Sequence, residues 1–208
     1  MREAPFYRHR KNFLYRIRNV EHDWLTPVEY LPYIDALLGD IDLDPCSTEL
    51  ANSQFLRARQ IYTLKDDGLN IEEPWGGVTY LFPPTYGRCT FSTQRNTWKW
   101  SLRGFSKTSK APAAIWFKRL EKEWKLRNVS EALFFTTSHE IMRTCPNIWD
   151  YPICIPSKRC NLIFGKSLTV TGGAFTWGFF VYLPRPDLGF DQVNRFKEIF
   201  SHIGKVVC

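Results

Sequence analysis

Two carboxylates stand where the chain must turn: Asp44 directly before Pro45, and Asp67 directly before Gly68. Taken alone, the first reads as a turn-capping carboxylate and the second as an ordinary Asp-Gly turn, although each is also an acceptor that a ligand could use. A third place is the run Phe82-Pro83-Pro84-Thr85-Tyr86-Gly87. Two prolines carry no N–H and hold φ fixed, so a strand reaching Phe82 must stop there and give way to a stiff loop at the strand end. A fourth is the stretch 88–110, where Arg88, Arg95, Lys99, Arg103, Lys107 and Lys110 are interleaved with Phe91, Trp98, Trp100 and Phe105 and no acid occurs. Cations mixed with flat rings suit phosphate contact and base stacking. A solvated cationic loop and an arm that docks another protein are the alternatives.

Other chemistries find little footing. His139 and His202 have no Ser or Cys at a meaningful spacing, and Ser47 beside Cys46 reads as turn chemistry. The six cysteines contain no CxxC pair, which points to no metal and no disulfide framework but to buried or free thiols in a reducing, intracellular compartment. No Walker-type glycine loop is present, which argues against triphosphate hydrolysis.

The elements that must position these residues can be read coarsely. Thr26 as N-cap, Pro27 at the first helical position and Gly39 at the end bracket a helix over 27–38, with Val28, Leu31, Ile34 and Leu38 at helical spacing. Ile41-Asp42-Leu43-Asp44 reads as a short strand, 49–59 as a second helix and 61–63 as another short strand. Val78 to Phe82 is β-branched and aromatic, hence a strand that the prolines end. The spacing of Ile115, Phe117, Leu120 and Trp124 predicts a helix over 114–127. Further strands are expected at 131–137, 160–164, 177–183 and 206–207, and a helix at 190–202. Residues 88–110 show no period and are expected to form a long loop. Strands alternating with helices imply an α/β sheet covered by helices.

Three ordered stretches then carry a resemblance: Asp23-Trp24-Leu25-Thr26-Pro27, the run 41–47 with Ala51-Asn52, and Asp66-Asp67-Gly68-Leu69 followed by Trp75-Gly76-Gly77-Val78 and Pro83-Pro84. Together the chain resembles the phage-type DNA N-6-adenine methyltransferases. The resemblance implies one Rossmann-like methyltransferase domain, a mostly parallel central sheet with helices on both faces, and S-adenosylmethionine bound at the carboxyl ends of the strands. It implies that Asp44, with Pro45, accepts hydrogen bonds from the cofactor's ribose or amino group, that Thr26 and Pro27 close over its methionine end, and that Asp67 contacts the adenosine. Asn52 is expected to be structural, and Trp75 to be a core residue, a place at the border of the site being its alternative. In amino-methyltransferases the loop after the strand reads Asn or Asp, Pro, Pro, aromatic; the first side chain and the proline carbonyl accept from the target amine, and the ring stacks on a base taken out of its helix. Here Phe82 cannot accept, Thr85 takes the aromatic place and Tyr86 lies one residue late.

A chain of 208 residues with 44% hydrophobic and 24% charged residues is expected to fold as one domain, 23–208, preceded by a basic extension at 1–22 and carrying the insertion 88–110. No run approaches the roughly 20 apolar residues that span a bilayer, so no membrane is expected. The net charge of +7 gathers in the extension and the insertion, while 35–73 is acidic; a cationic sulfonium ligand and a nucleic acid would prefer opposite regions. The expected activity is methyl transfer to the exocyclic amine of adenine, with DNA preferred to RNA as partner. The alternative is a non-catalytic methyltransferase-like subunit that holds nucleic acid or a protein partner within a larger assembly.

Overall fold

A computed structural model describes residues 24–63, 65–83, 112–164 and 176–208, together with the backbone of short strands at 88–92, 97–101 and 169–170. In chain order the strands are β1 (Trp24–Leu25), β2 (Leu43–Asp44), β3 (Gln60–Ile61), β4 (Gly77–Leu81), β5 (Arg88–Ser92), β6 (Thr97–Ser101), β7 (Val129–Thr136), β8 (Ile153–Pro156), β9 (Ile163–Phe164), β10 (Thr169–Val170), β11 (Phe179–Leu183) and β12 (Gly204–Val207). The helices are α1 (Leu31–Leu38), α2 (Glu49–Ala51), α3 (Pro112–Lys125), α4 (Ile141–Thr144) and α5 (Phe190–Phe200).

Seven strands form one sheet in the order β12-β8-β11-β7-β4-β2-β3. The half from β3 to β7 is parallel, whereas β11, β8 and β12 join antiparallel. The fold is therefore α/β with a mixed sheet, and the expectation of a mostly parallel one holds for that first half only. Short apolar runs look alike in either pairing, so direction is not legible without the connections.

The strand sequences explain how both faces are covered. Val78, Tyr80, Phe82, Leu133, Phe135, Phe180 and Tyr182 fall on one face and pack with Ile34, Leu37 and Leu38 of α1 and Phe196 and Phe200 of α5. The alternate positions Leu81, Ala132, Phe134, Val181 and Leu183 fall on the other, under Ala114, Phe117 and Leu120 of α3. This is the period of two expected of strands buried on both sides. Among the described residues no helix is long and apolar enough to cross a membrane.

Several local expectations need correction. The first helix opens as a 3-10 turn, Val28–Tyr30, and becomes α-helical only at Leu31; it ends at Gly39, whose φ of 63° suits glycine. Thr26 does not cap it. The second helix is one α turn capped by Thr48, then a π turn, Asn52–Leu56. Asn52 explains the stop: its amide accepts from the Ala58 N–H at 2.7 Å and donates to the Ala58 carbonyl at 2.9 Å, turning the chain back. Only Ile163–Phe164 of the span 160–164 is a strand, with Cys160 in a lone bridge to Thr176, and β8 has no counterpart among the expected strands.

The loop expected over 88–110 contains an antiparallel ribbon, β5 against β6. Its signal in the sequence is alternation, since Cys89 and Phe91, and Trp98 and Trp100, each stand two apart. Residues 1–22 and the remainder of the insertion lie outside the described residues.

Candidate functional site

Parallel pairing puts the carboxyl ends of β2 and β4 on one edge of the sheet. Leu43 pairs with Thr79, which sets Asp44 level with Tyr80 in the neighbouring strand. Pro83 follows three residues beyond Tyr80, about 10 Å further along the strand direction. The carboxylate and the start of the proline corner therefore share an edge of the sheet.

Asp44 is buried, with 3% of its surface exposed. Its Oδ1 accepts the Cys46 N–H at 3.1 Å, and Ser47 offers a side-chain hydrogen bond. Burial pushes its carboxyl up to about 6, against the lowering effect of those two donors. Among the described residues no Lys, Arg or His forms an ion pair with it. At neutral pH the site thus holds a negative charge that, among the described residues, only a backbone N–H and a hydroxyl relieve, a costly arrangement for an interior.

Two hydroxyls complete the surroundings. Thr26 Oγ1 lies 2.8 Å from the Tyr80 hydroxyl, and both side chains are buried. Burial, opposed by the Thr26 hydrogen bond and reinforced by the charge of Asp44, holds the Tyr80 phenol well above its ordinary value, so it remains a neutral donor. Pro27 is buried beside Thr26, and β1 is tied down by antiparallel pairing with β9.

The second carboxylate motif packs directly against the first. A Cβ on Gly68 would stand 2.1 Å from the Pro45 carbonyl oxygen, so only glycine lets the two turns approach so closely. Trp75, fully buried, donates from Nε1 to the Gly68 carbonyl at 3.0 Å and stacks on Trp116, which fixes this loop to the core under α3. Asp67 itself is exposed, at a φ of 53°, and its Oδ2 accepts from Asn70 Nδ2 at 2.7 Å. The loop is held near Asp44, but the Asp67 carboxylate serves its own turn and faces solvent.

At the proline corner, Phe82 and Pro83 are buried. The Phe82 ring packs on Phe135 with centroids 4.9 Å apart, inside the cluster under α1 and α5. The position that the resemblance gives to an amine acceptor is here a core aromatic. Pro84, Thr85 and Tyr86 lie outside the described residues, as do Arg95, Arg103, Lys107 and Lys110. Arg88 and Lys99 fall in the ribbon: Arg88 pairs with Ser101 and Thr90 with Lys99, so both cationic positions share one face of it.

Asp44, Pro45, Thr26, Pro27 and the Gly68 turn, separate in sequence, are thus brought to one edge. Tyr80 and Ser47 join the site without having been expected there. Tyr80 has the spacing of any inward strand residue, and nothing in the sequence marks its hydroxyl as the partner of Thr26. No family model, no curated protein and no solved structure matches this chain.

Proposed function

We propose that this chain is an S-adenosylmethionine-dependent, Rossmann-like methyltransferase-like protein, with its ligand site around Asp44 and the exocyclic amine of adenine in a nucleic acid as methyl acceptor. The observation that carries the proposal is the charge of Asp44, which has no cation among the described residues. Every other buried acid among them has one: Glu121 has Lys125, Glu123 has Arg119 and Glu131 has Arg185. A ligand that brings a positive charge together with hydroxyl and amino donors supplies what Asp44 lacks. The parallel half of the sheet, with Asp44 at a carboxyl end, supports a Rossmann-like reading for the same reason that ligands gather at such edges.

When bound against Asp44, Thr26 and Tyr80, the cofactor would supply an electrophilic methyl group to the amine, whose proton would leave to water. Asp44 accepts the ligand's hydrogen bonds. The Tyr80 hydroxyl, held neutral, and Thr26 orient the side that faces them. The Pro83 carbonyl, with no N–H behind it at Pro84, accepts from the amine and aims its lone pair. The hydroxyl pair ties the Thr26-Pro27 segment to Tyr80 of β4.

Calorimetric titration of S-adenosylmethionine into the purified chain tests this reading: heat of binding is expected, with at least a tenfold loss of affinity in Asp44→Asn. Absence of heat at high protein concentration overturns it. Radiolabelled methyl transfer to DNA then measures activity.

A second reading, a non-catalytic methyltransferase-like subunit, is favoured by one observation, the burial of Phe82. A polar residue there would empty a packed aromatic site, at a cost of about 3–5 kcal/mol as for other large-to-small core changes. Phe82→Asn is therefore expected to lower Tm sharply. Phe82→Leu keeps the apolar packing and still provides no acceptor, so methyl transfer equal to wild type in that variant would show that position 82 takes no part in the chemistry.

A further inference from the structure

Past the proline corner the carboxyl edge of the parallel strands continues onto β11 and β8. The register that pairs Leu81 with Phe134 brings Thr136 level with Pro83, and Thr136 pairs with Phe179 at the start of β11. Trp177, two residues earlier, therefore stands two strands, about 10 Å, to the side of Pro83 and about 7 Å beyond it. Because β8 runs antiparallel to β11, the residues after Pro156, Ser157-Lys158-Arg159, emerge at the same edge.

A lone bridge fixes this corner. Cys160 donates its N–H to the Thr176 carbonyl at 2.9 Å, and its buried thiol donates to the same oxygen at 3.6 Å. The bridge is antiparallel, so Arg159, before one partner, stands opposite Trp177, after the other. The guanidinium lies over the indole, its carbon 5.9 Å from the ring centroid. Beyond burial and its Thr26 hydrogen bond, the Tyr80 phenol is raised by Asp44 and by Cys160, which ties the bridge to the surroundings of Asp44. Yet Trp177 keeps 39% of its surface exposed, and Lys158 and Arg159 are exposed beside it. An indole held in place but left open offers a stacking face, and the two cations offer donors for phosphate.

Charge decides which side of the reaction this corner serves. Asp44 favours a cationic cofactor, whereas Lys158 and Arg159 repel one and favour an anion. We propose that the corner holds a nucleotide of the methyl-acceptor strand: its base stacks on Trp177, and its phosphate is met by the Arg159 fork and Lys158. The span from Pro83 equals about three or four stacked steps of roughly 3.4 Å, so this nucleotide lies a few positions from the adenine whose amine meets the Pro83 carbonyl. An acidic peptide would satisfy the cations but bring the indole no base to stack on it. The inference deepens the methyl-transfer reading and rests on it for its purpose, but not for its test.

Fluorescence anisotropy of short labelled single strands of DNA and of RNA, titrated with the full chain in the absence of cofactor, provides that test. Both are expected to bind at least tenfold more tightly than abasic strands of equal length, and whichever of the two binds better identifies the natural source. Trp177→Ala is expected to weaken binding about tenfold. Trp177→Phe keeps a stacking ring and should stay within a few-fold of wild type. Arg159→Gln should reduce the slope of log affinity against log salt by about 0.7. Both side chains are exposed, so none of these changes is expected to alter Tm appreciably. Abasic strands bound as tightly as complete ones, the phenylalanine variant as weak as the alanine one, or an unchanged salt slope would each overturn the proposal. Displacement by polyglutamate as effective as by an unlabelled strand would also overturn it and assign the corner to an acidic protein partner. No cofactor is present, so failure here counts against the Trp177 corner alone, whereas failure of the calorimetric titration counts against the methyl-transfer reading alone.

Discussion

Asp44 and Glu131 are equally buried, at 3% exposure each, yet they live in opposite electrostatic circumstances. Glu131, at the start of β7, has Arg185 Nε 3.0 Å from one oxygen and the Tyr182 hydroxyl donating to the other. Glu121 of α3 tells the same story, because burial raises its carboxyl but Lys125, Tyr151 and Asn147 outweigh that and leave it lowered. Asp44, at the carboxyl end of β2, has no such cation among the described residues, and its carboxyl is raised. The first kind of carboxylate is satisfied by its own fold. The second is left with a charge that the described fold does not satisfy, the condition in which a ligand has something to contribute.

The largest effect expected from this contrast comes from converting one kind into the other. Arg185→Met strips Glu131 of its cation and leaves it as Asp44 is, at a cost of about 3 kcal/mol, since removing one partner exposes the other to the full penalty of burial. For a chain of this size that amounts to a Tm lower by about 6–12 °C, measurable by calorimetry. A change under about one degree would show that the pairing carries little, and the contrast with Asp44 would lose its meaning.

Asp44→Asn should act in the opposite direction. The folded carboxyl titrates near 6 and the unfolded one near its ordinary value of 3.8, so the native state holds the proton more tightly. Its contribution is present in full below about pH 4, is lost as pH rises from about 4 to 6, and leaves a penalty on the order of 2–3 kcal/mol above that range. The asparagine variant is therefore expected to be more stable than wild type at about pH 7.5 and to lose that advantage at about pH 4, as denaturant melts at the two values would show. The same titration predicts that affinity for a cationic ligand falls by up to about tenfold per pH unit below about pH 6 in the wild type, and not in the variant. A site that becomes more stable when its polar group is removed is the usual signature of a residue kept for function.

The smallest effect belongs to the hydroxyl pair. Tyr80→Phe removes one buried hydrogen bond and leaves Thr26 unsatisfied, about 1–2 kcal/mol in stability. Because the ring stays packed, the readout that separates a positioning role from a structural one is ligand affinity in the double variant with Thr26→Val. Removing both hydroxyls should restore most of the stability but none of the lost affinity.

How much of the molecule is legible in its sequence varies by element. The strand over β4, the stop at the prolines, helix α3 and the aromatic strand β11 follow from period and composition, because a face buried on a regular element leaves its spacing in the sequence. The ribbon leaves its alternation too, but the cations interleaved with its rings make the stretch look like a loop. Helix ends fall elsewhere than expected where a side chain finds a distant or backward partner, as with Thr26 on Tyr80 and Asn52 on Ala58.

By itself the sequence determined which residues are able to do chemistry, where most strands and helices run, and that charge of opposite sign collects in separate stretches. The tertiary structure alone decided that the second half of the sheet is antiparallel, that Phe82 belongs to the core, and that Glu131 receives an arginine while Asp44 receives no cation among the described residues. The reason is physical: periodicity is a local property of the chain, whereas a carboxylate's energy depends on which distant groups packing brings within a few ångströms of it.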